Sequence, residues 1–322
     1  MKIYLSNSVW IGNIDSFLKK METSNGENLE ISSHKEWISV HPVVLCMVAS
    51  LGLKMHKEKK KILFEKMEAT SKHYFERMGL FDILRLDSQI KVKSHESAGR
   101  FIPITKIKNS QELHKFITEM IPLLHSEPEQ VEPIKYVISE LVRNVFEHSE
   151  SEEGAIVCAQ YYQKSNVIRI GVVDSGIGIR NSINFSYKTE NDIHAIQLAL
   201  TPGITGKTRN LGGTETNAGA GLFFIKSIAK VNRDFFVIYS GNAMYKLLKT
   251  PIKSTMKLKM NPLEDKSTKS NDFPYWQGTV VGIDISLDRH QRFDKLLEII
   301  SQTYFDDIKE RKKEKFKKPR FI

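Results

Sequence analysis

Apolar residues recur along this chain in two rhythms, and each change of rhythm marks an expected element. Ile3–Ile11 and part of Leu29–Val40 read as strand-like stretches. His41–Met55 contains the apolar run Val43–Ala49, with Pro42 where a first helical turn tolerates a missing N–H, so a helix is expected. Lys61–Phe64 reads as a short strand. Ser71–Leu84 reads as an amphipathic helix carrying Tyr74, Phe75, Met78 and Phe81. This alternation predicts a small α/β unit over residues 1–95.

The polar stretch Asp87–Gly99 introduces a second unit. Arg100–Lys108 predicts a strand and Ser110–Leu124 a helix. Ser126 opens a longer helix through a capping box with Glu129, with Pro128 near its first turn. Pro133 leaves two options open: the helix starts there, or it bends there. From Ile134 the residues Val137, Ile138, Leu141, Val142 and Val145 keep the helical period. Ala155–Tyr162 and Val167–Val173 predict a strand pair around the polar turn Gln163–Asn166. The Gly-rich, polar stretch Asp174–Ala218 follows, interrupted by a helix at Asn191–Leu200. Gly219–Val231 predicts another helix, and strands are expected near Phe235–Tyr239, Tyr245–Leu248 and Gly278–Ser286. Lys257–Asn271 reads as an exposed loop and Phe293–Tyr304 as a closing helix.

Composition narrows the class. At 322 residues, 40% hydrophobic and 27% charged, the chain is globular rather than disordered, and long enough for one large or two ordinary domains. Cys46 and Cys158 lie in apolar segments, and none of the ten histidines joins them in a zinc-ligand spacing, so buried reduced thiols are expected. No apolar run approaches a membrane span and the N-terminus has no signal-peptide pattern, which points to a cytoplasmic protein. The net charge of +10 suggests a polyanionic partner. Eight basic and two acidic residues between Lys309 and Ile322 carry +6 of it, leaving +4 on the rest. The charge therefore describes a basic tail, residues 305–322, more than it describes the body.

Three segments carry candidate chemistry. In Glu140-Leu-Val-Arg-Asn144, Glu140 and Asn144 stand one helical turn apart at the border of the apolar face. A carboxylate beside a carboxamide suits a general base next to an oxygen ligand for Mg²⁺; a solvated helix face is the bland alternative. His148 continues that stripe, as a cap or packing residue. In Asp174-Ser-Gly176-Ile-Gly178, the aspartate shares parity with Ile168, Ile170 and Val172, which places a carboxylate on an apolar sheet face. An adenine amino group could satisfy it there, and so could a backbone turn. In Asn217-Ala-Gly219-Ala-Gly221, glycines open a helix and expose N–H groups suited to phosphate, or they form a flexible loop without a ligand. Gly203-Ile-Thr-Gly206-Lys207-Thr208 imitates a P-loop, but its first glycine would fall on Thr201. Lys207 and Arg209 are then either phosphate-touching loop residues or solvated cations.

The order and spacing of these boxes resemble the GHKL (Bergerat-fold) ATP-binding family, which includes gyrase-type topoisomerases, mismatch-repair ATPases, histidine kinases and anti-sigma kinases. The resemblance covers residues 100 to 290. It implies an ATP-binding domain over 96–304, a two-layer sandwich of helices on a mixed, mainly antiparallel sheet. It further implies ATP and Mg²⁺ as ligands, Asn144 as Mg²⁺ ligand, and Asp174 as the residue that recognises adenine. Gly176 and Gly178 would line the adenine–ribose side. Asn217, Gly219 and Gly221 would belong to a phosphate-covering lid whose ordering stretch spans about residues 180–218, the stretch that also holds Lys207. Thr279 resembles a late-strand threonine near adenine and shares parity with Val281, Ile283 and Ile285. Glu140 resembles the general base of the hydrolysing branches. The N-terminal alternation looks like a STAS-type domain. Three functions are consistent with this reading: a nucleotide-driven ATPase switch read by a regulatory protein partner, an anti-sigma-type serine/threonine kinase, and a nucleic-acid- or membrane-binding adaptor using the basic tail. Dimerisation through ATP is an option taken from gyrase-like relatives.

Overall fold

The computed structural model describes residues 1–23, 26–68, 71–88, 101–121, 128–206, 220–251, 253–254, 258–287 and 293–316. In chain order, β1 (Lys2–Leu5), β2 (Ser8–Val9) and α1 (Ile14–Lys20) lead to β3 (Asn28–Ser33) and β4 (Ser39–Val40). Next come α2 (Pro42–Lys57), β5 (Lys61–Phe64), α3 (Lys72–Arg77) and α4 (Leu80–Leu84). The second half contains β6 (Phe101–Ile107), α5 (Ser110–Lys115), α6 (Pro128–His148), β7 (Ala155–Tyr162), β8 (Val167–Val173), α7 (Gly178–Asn184) and α8 (Asp192–Ala199). It closes with α9 (Gly221–Val231), β9 (Phe236–Gly241), β10 (Ala243–Leu247), β11 (Ser267–Ser270), β12 (Trp276–Ser286) and α10 (Phe293–Phe316).

The architecture is mixed α/β. A seven-stranded sheet runs β11-β10-β9-β12-β8-β7-β6 with every neighbouring pair antiparallel, and a separate three-stranded parallel sheet runs β1-β3-β5. The register of the large sheet realises the parity argument. Val172 pairs with Val281, Ile170 with Ile283 and Ile168 with Ile285, and all six sit in the core beneath α6 and α9. That stripe is buried because alternate strand residues share a face. Leu296, Ile300, Tyr304 and Ile308 of α10 join the same core, four residues apart.

The opposite face of the sheet is covered too, which the pattern did not anticipate. Ile156, Cys158, Val173, Val237 and Val280 share a continuous core with the N-terminal unit. Its centre is α2, buried from Pro42 through Gly52 because it lies between the two sheets. Its N-terminus is capped by His41, whose Nδ1 accepts from the Val43 N–H at 3.1 Å. The backbone there comes so close that the paired strand residues Gly171 and Gly282 must be glycine or very small. A Cβ on Gly171 would stand 2.4 Å from Val43 Cα, and one on Gly282 would meet the Val43 side chain at 3.2 Å. Cys46 and Cys158 are buried free thiols, with Sγ atoms 3.4 Å apart across this contact.

Several boundaries differ from expectation. The helix expected over Ser71–Leu84 is two helices, because Gly79 takes a left-handed conformation (φ +75°) between α3 and α4. The helix expected over Ser110–Leu124 is α-helical only to Lys115 and continues as a π-helical turn, Phe116–Met120. α6 starts at Pro128 and carries Pro133 inside it, so the helix does not begin at that proline. Ser126 lies outside the described residues. The closing helix runs on to Phe316, well past Tyr304, so the basic stretch begins on its last turns. Lys257–Asn271 is not simply an exposed loop. It holds β11 on the sheet edge and the buried Asp265, which pairs with Lys226 of α9 at 2.7 Å. A buried ion pair is invisible to a polarity pattern, because both partners read as surface residues. Among the described residues, no helix is long and apolar enough to cross a membrane.

Candidate functional site

The end of β8 and the turn after it form the rigid floor of the site. Asp174 is almost fully buried, and its N–H donates to the Thr279 carbonyl at 2.9 Å. Its Oδ1 accepts from the Gly176 N–H at 2.8 Å, and the Thr279 side chain and main chain also hydrogen-bond the carboxylate. These bonds favour the ionised form, but desolvation outweighs them and pushes the pKa up to about 6. Burying a carboxylate against an apolar face is unfavourable, and the hydrogen bonds from Gly176 and Thr279 offset only part of that cost.

Two serines outside the expected motifs lock this floor. The Ser149 carbonyl, just past α6, accepts from the Ile177 N–H at 2.7 Å, and it lies so close to Gly176 that a Cβ there would stand 1.9 Å from it. Ser240 of β9 accepts from the Ile179 N–H at 3.0 Å and donates to the Gly278 carbonyl at 2.6 Å, tying α7 to β12. Gly178 takes a φ of +79°, which favours glycine. Helix α7 itself was missed. Its apolar residues Ile179 and Ile183 are too few to mark a helical period, and they are buried only by the sandwich core.

The wall is α6. Tyr136, Glu140, Asn144 and His148 recur every fourth residue and all line one cavity of about 280 Å³, together with Arg143 and Glu147. Burial raises the pKa of Glu140, Glu147 adds to that, and Arg143, 3.7 Å away, opposes it. The Asn144 amide nitrogen is shut off from solvent and has no hydrogen-bond partner among the described residues. α9 starts opposite: a Cβ on Gly221 would meet Glu140 Oε2 at 2.7 Å, so the helix opening and the α6 stripe nearly touch. Val172, Ile179, Ile183, Val281 and Phe224 give the cavity an apolar body.

The cavity therefore brings together Glu140, Asn144, Asp174, Gly178, Gly221 and Thr279 from positions 139 residues apart at the extremes. Gly176 stands behind them in the turn. Lys207, Arg209, Asn217 and Gly219 lie outside the described residues. Of the stretch expected to be a lid, residues 180–206 include most of α7 and all of α8, packed against each other and the sheet, with Ser186 Oγ donating to the Gly206 carbonyl at 2.7 Å. Among the described residues no group of three or more His, Cys, Asp or Glu gathers to hold a metal. No protein-family model matches the chain, and no curated protein does either.

Proposed function

We propose that this chain is a Mg²⁺-dependent ATP-binding protein of the GHKL type, hydrolysing ATP in the cavity between α6, α9 and the β8–β12 strands. One observation carries the reading: boxes separated widely in sequence line a single cavity, with a buried carboxylate at one end and a carboxylate–carboxamide pair at the other. Asp174 accepts an exocyclic N–H of the base. A carboxylate offers no donor, so adenine is accepted where guanine, with an acceptor oxygen at that ring position, is rejected. Val172, Ile179 and Val281 hold the base by apolar contact.

At the other end, the N–H groups opening α9 face the phosphates, where the helix dipole favours negative charge. Asn144 is the residue that would hold Mg²⁺, through its carbonyl oxygen, while its orphaned amide N–H would donate to a phosphate oxygen. When bound, that ion neutralises phosphate charge. Glu140, made more basic by partial burial, takes the proton of the attacking water, and Arg143 keeps it ionised beforehand. In this reading the N-terminal unit, similar in its strand–helix alternation to a STAS-type module, responds to the nucleotide state and passes it to a partner protein.

The test is phosphate release from ATP by the purified chain, alongside equilibrium dialysis of ATP. Glu140→Gln is expected to keep ATP binding and to lower turnover on the order of 10²- to 10⁴-fold. Unchanged turnover would remove Glu140 from the mechanism, and failure of the wild-type chain to bind ATP would remove the assignment altogether. Labelled γ-phosphate appearing on a protein instead of in solution would favour the kinase alternative.

A further inference from the structure

We propose that β5 is a dimerisation strand, pairing antiparallel with β5 of a second copy of this chain. A strand at the end of a sheet offers unpaired N–H and C=O groups, and folds ordinarily blunt such edges. The other sheet ends here are blunted. Lys2 of β1 exchanges two backbone hydrogen bonds with Glu22, at 2.9 and 3.0 Å. β6 carries Pro103, and its Ile104 N–H donates to the Met78 carbonyl at 2.9 Å. β11 is short and polar, with Lys269 exposed. β5, Lys61–Phe64, ends the three-stranded sheet without any of these devices.

Alternation along β5 decides which of its groups are free. The Glu65 N–H donates to the Ile31 carbonyl of β3 at 2.8 Å, so Lys61, Leu63 and Glu65 turn their backbone groups toward β3. Ile62 and Phe64 aim theirs outward, and among the described residues no backbone group bonds to them there. An antiparallel pair centred on Leu63 sets Ile62 of each copy opposite Phe64 of the other, in the hydrogen-bonded positions of the ladder. Leu63, 47% exposed, then meets its own counterpart across the two-fold axis. Lys61 of each copy stands opposite Glu65 of the other, on the same face as Leu63. Both side chains are exposed, and among the described residues neither is in an ion pair. Lys60, which would approach Lys66 of the other copy, is already paired with Glu58 at 2.7 Å. An arbitrary extended peptide would share only the backbone bonds. The stripe Lys61-Leu63-Glu65 complements its own antiparallel copy in charge as well, and that selects a second copy as the partner. Leu63, Phe64, Phe81 and Leu86 line the groove beside this edge. The pairing uses no residue of the nucleotide cavity.

Sedimentation equilibrium of the full chain, from about 1 to about 100 µM, tests this, and a monomer–dimer equilibrium is expected. Lys61→Glu sets glutamates against glutamates at both ends of the pair, and Glu65→Lys sets lysines against lysines. Each variant alone should weaken dimerisation at least about tenfold. Mixed in equal amounts, the two should regain the wild-type affinity as a heterodimer, because every glutamate then faces a lysine. If either folds poorly by circular dichroism, Leu63→Lys, at a third exposed position, should weaken the dimer by a similar factor. The proposal is overturned by a wild-type chain that stays monomeric at the highest concentration. It is equally overturned by variants that dimerise as tightly as the wild type, or by a mixture that stays monomeric.

Discussion

The two faces of the seven-stranded sheet are built from alternate residues of the same strands, yet they are finished differently. On the face toward α2, backbone meets backbone over Gly171 and Gly282, two thiols touch, and His41 donates through Nε2 to Asp284 at 3.1 Å. That side is closely packed. On the face toward α6 and α9, the same strands leave a cavity of about 280 Å³, a carboxylate whose ionisation is disfavoured, and an amide nitrogen without a partner among the described residues. A disfavoured carboxylate is not peculiar to the cavity, because burial also pushes Asp234, just before β9, up to about 6. Among the described residues, buried polar atoms without a partner occur on the other side too, Trp276 Nε1 among them, so what distinguishes the cavity is that such an atom opens onto it beside a buried carboxylate.

Substitutions can break or sharpen that contrast. The largest effect is expected from Gly171→Val. It forces side-chain atoms into the α2 backbone and should destabilise the chain by about 3 kcal/mol or more in urea unfolding. A loss below about 1 kcal/mol would mean that the α2 contact is looser than described. Asp174→Asn should act in the opposite sense. With the folded pKa raised from 3.8 to about 6, ionising Asp174 costs the folded chain on the order of 3 kcal/mol. The folded state therefore holds this proton more tightly than the unfolded one, and Asp174 makes stability fall as pH rises from about 4 to about 6. Asn removes that penalty, so the variant should melt higher than the wild type at pH 7 while losing ATP binding. ATP binding by the wild type should strengthen as pH rises through about 6.

His41→Ala tests the packed side and should cost about 2 kcal/mol, since it removes both the cap on α2 and the partner of Asp284. Burial lowers the pKa of His41, so the folded chain takes up that proton later than the unfolded chain does. Its contribution is present above pH 6.5 and lost on acidification below it, opposite in sign to that of Asp174. The variant should therefore lose less stability than the wild type between pH 7 and pH 5. The smallest effect is expected from Asn144→Ala. A carboxamide nitrogen with no partner contributes little, so stability should change by less than about 1 kcal/mol while Mg²⁺-dependent ATP binding drops. A large destabilisation would show that Asn144 is structural.

Much of the site was legible because its residues obey short-range rules. Glu140 and Asn144 share a stripe through helical spacing, and Asp174 and Thr279 face the same way through strand parity. The serines that lock the floor had no such signal. Ser149 acts through its backbone carbonyl, which any residue possesses, and Ser240 bonds residues 61 and 38 positions away. Arg143 and Tyr136 were passed over because their roles depend on how far α6 is buried, and periodicity does not report depth. Helix α7 escaped because a Gly-rich motif and two isoleucines resemble a loop until the sheet supplies the surface that buries them.

The amino-acid sequence alone determined the periodicities, and with them the strands β7 and β8, the helices α2 and α9 to within two residues, and the facing of Glu140, Asn144, Asp174 and Thr279. It did so because helix and strand geometry depend on residues a few positions apart. Only the tertiary structure decided that α2 closes the back of the sheet, that Lys226 and Asp265 meet, and that distant motifs share one cavity. Those outcomes depend on shape and desolvation between segments far apart in sequence, and no local pattern encodes them.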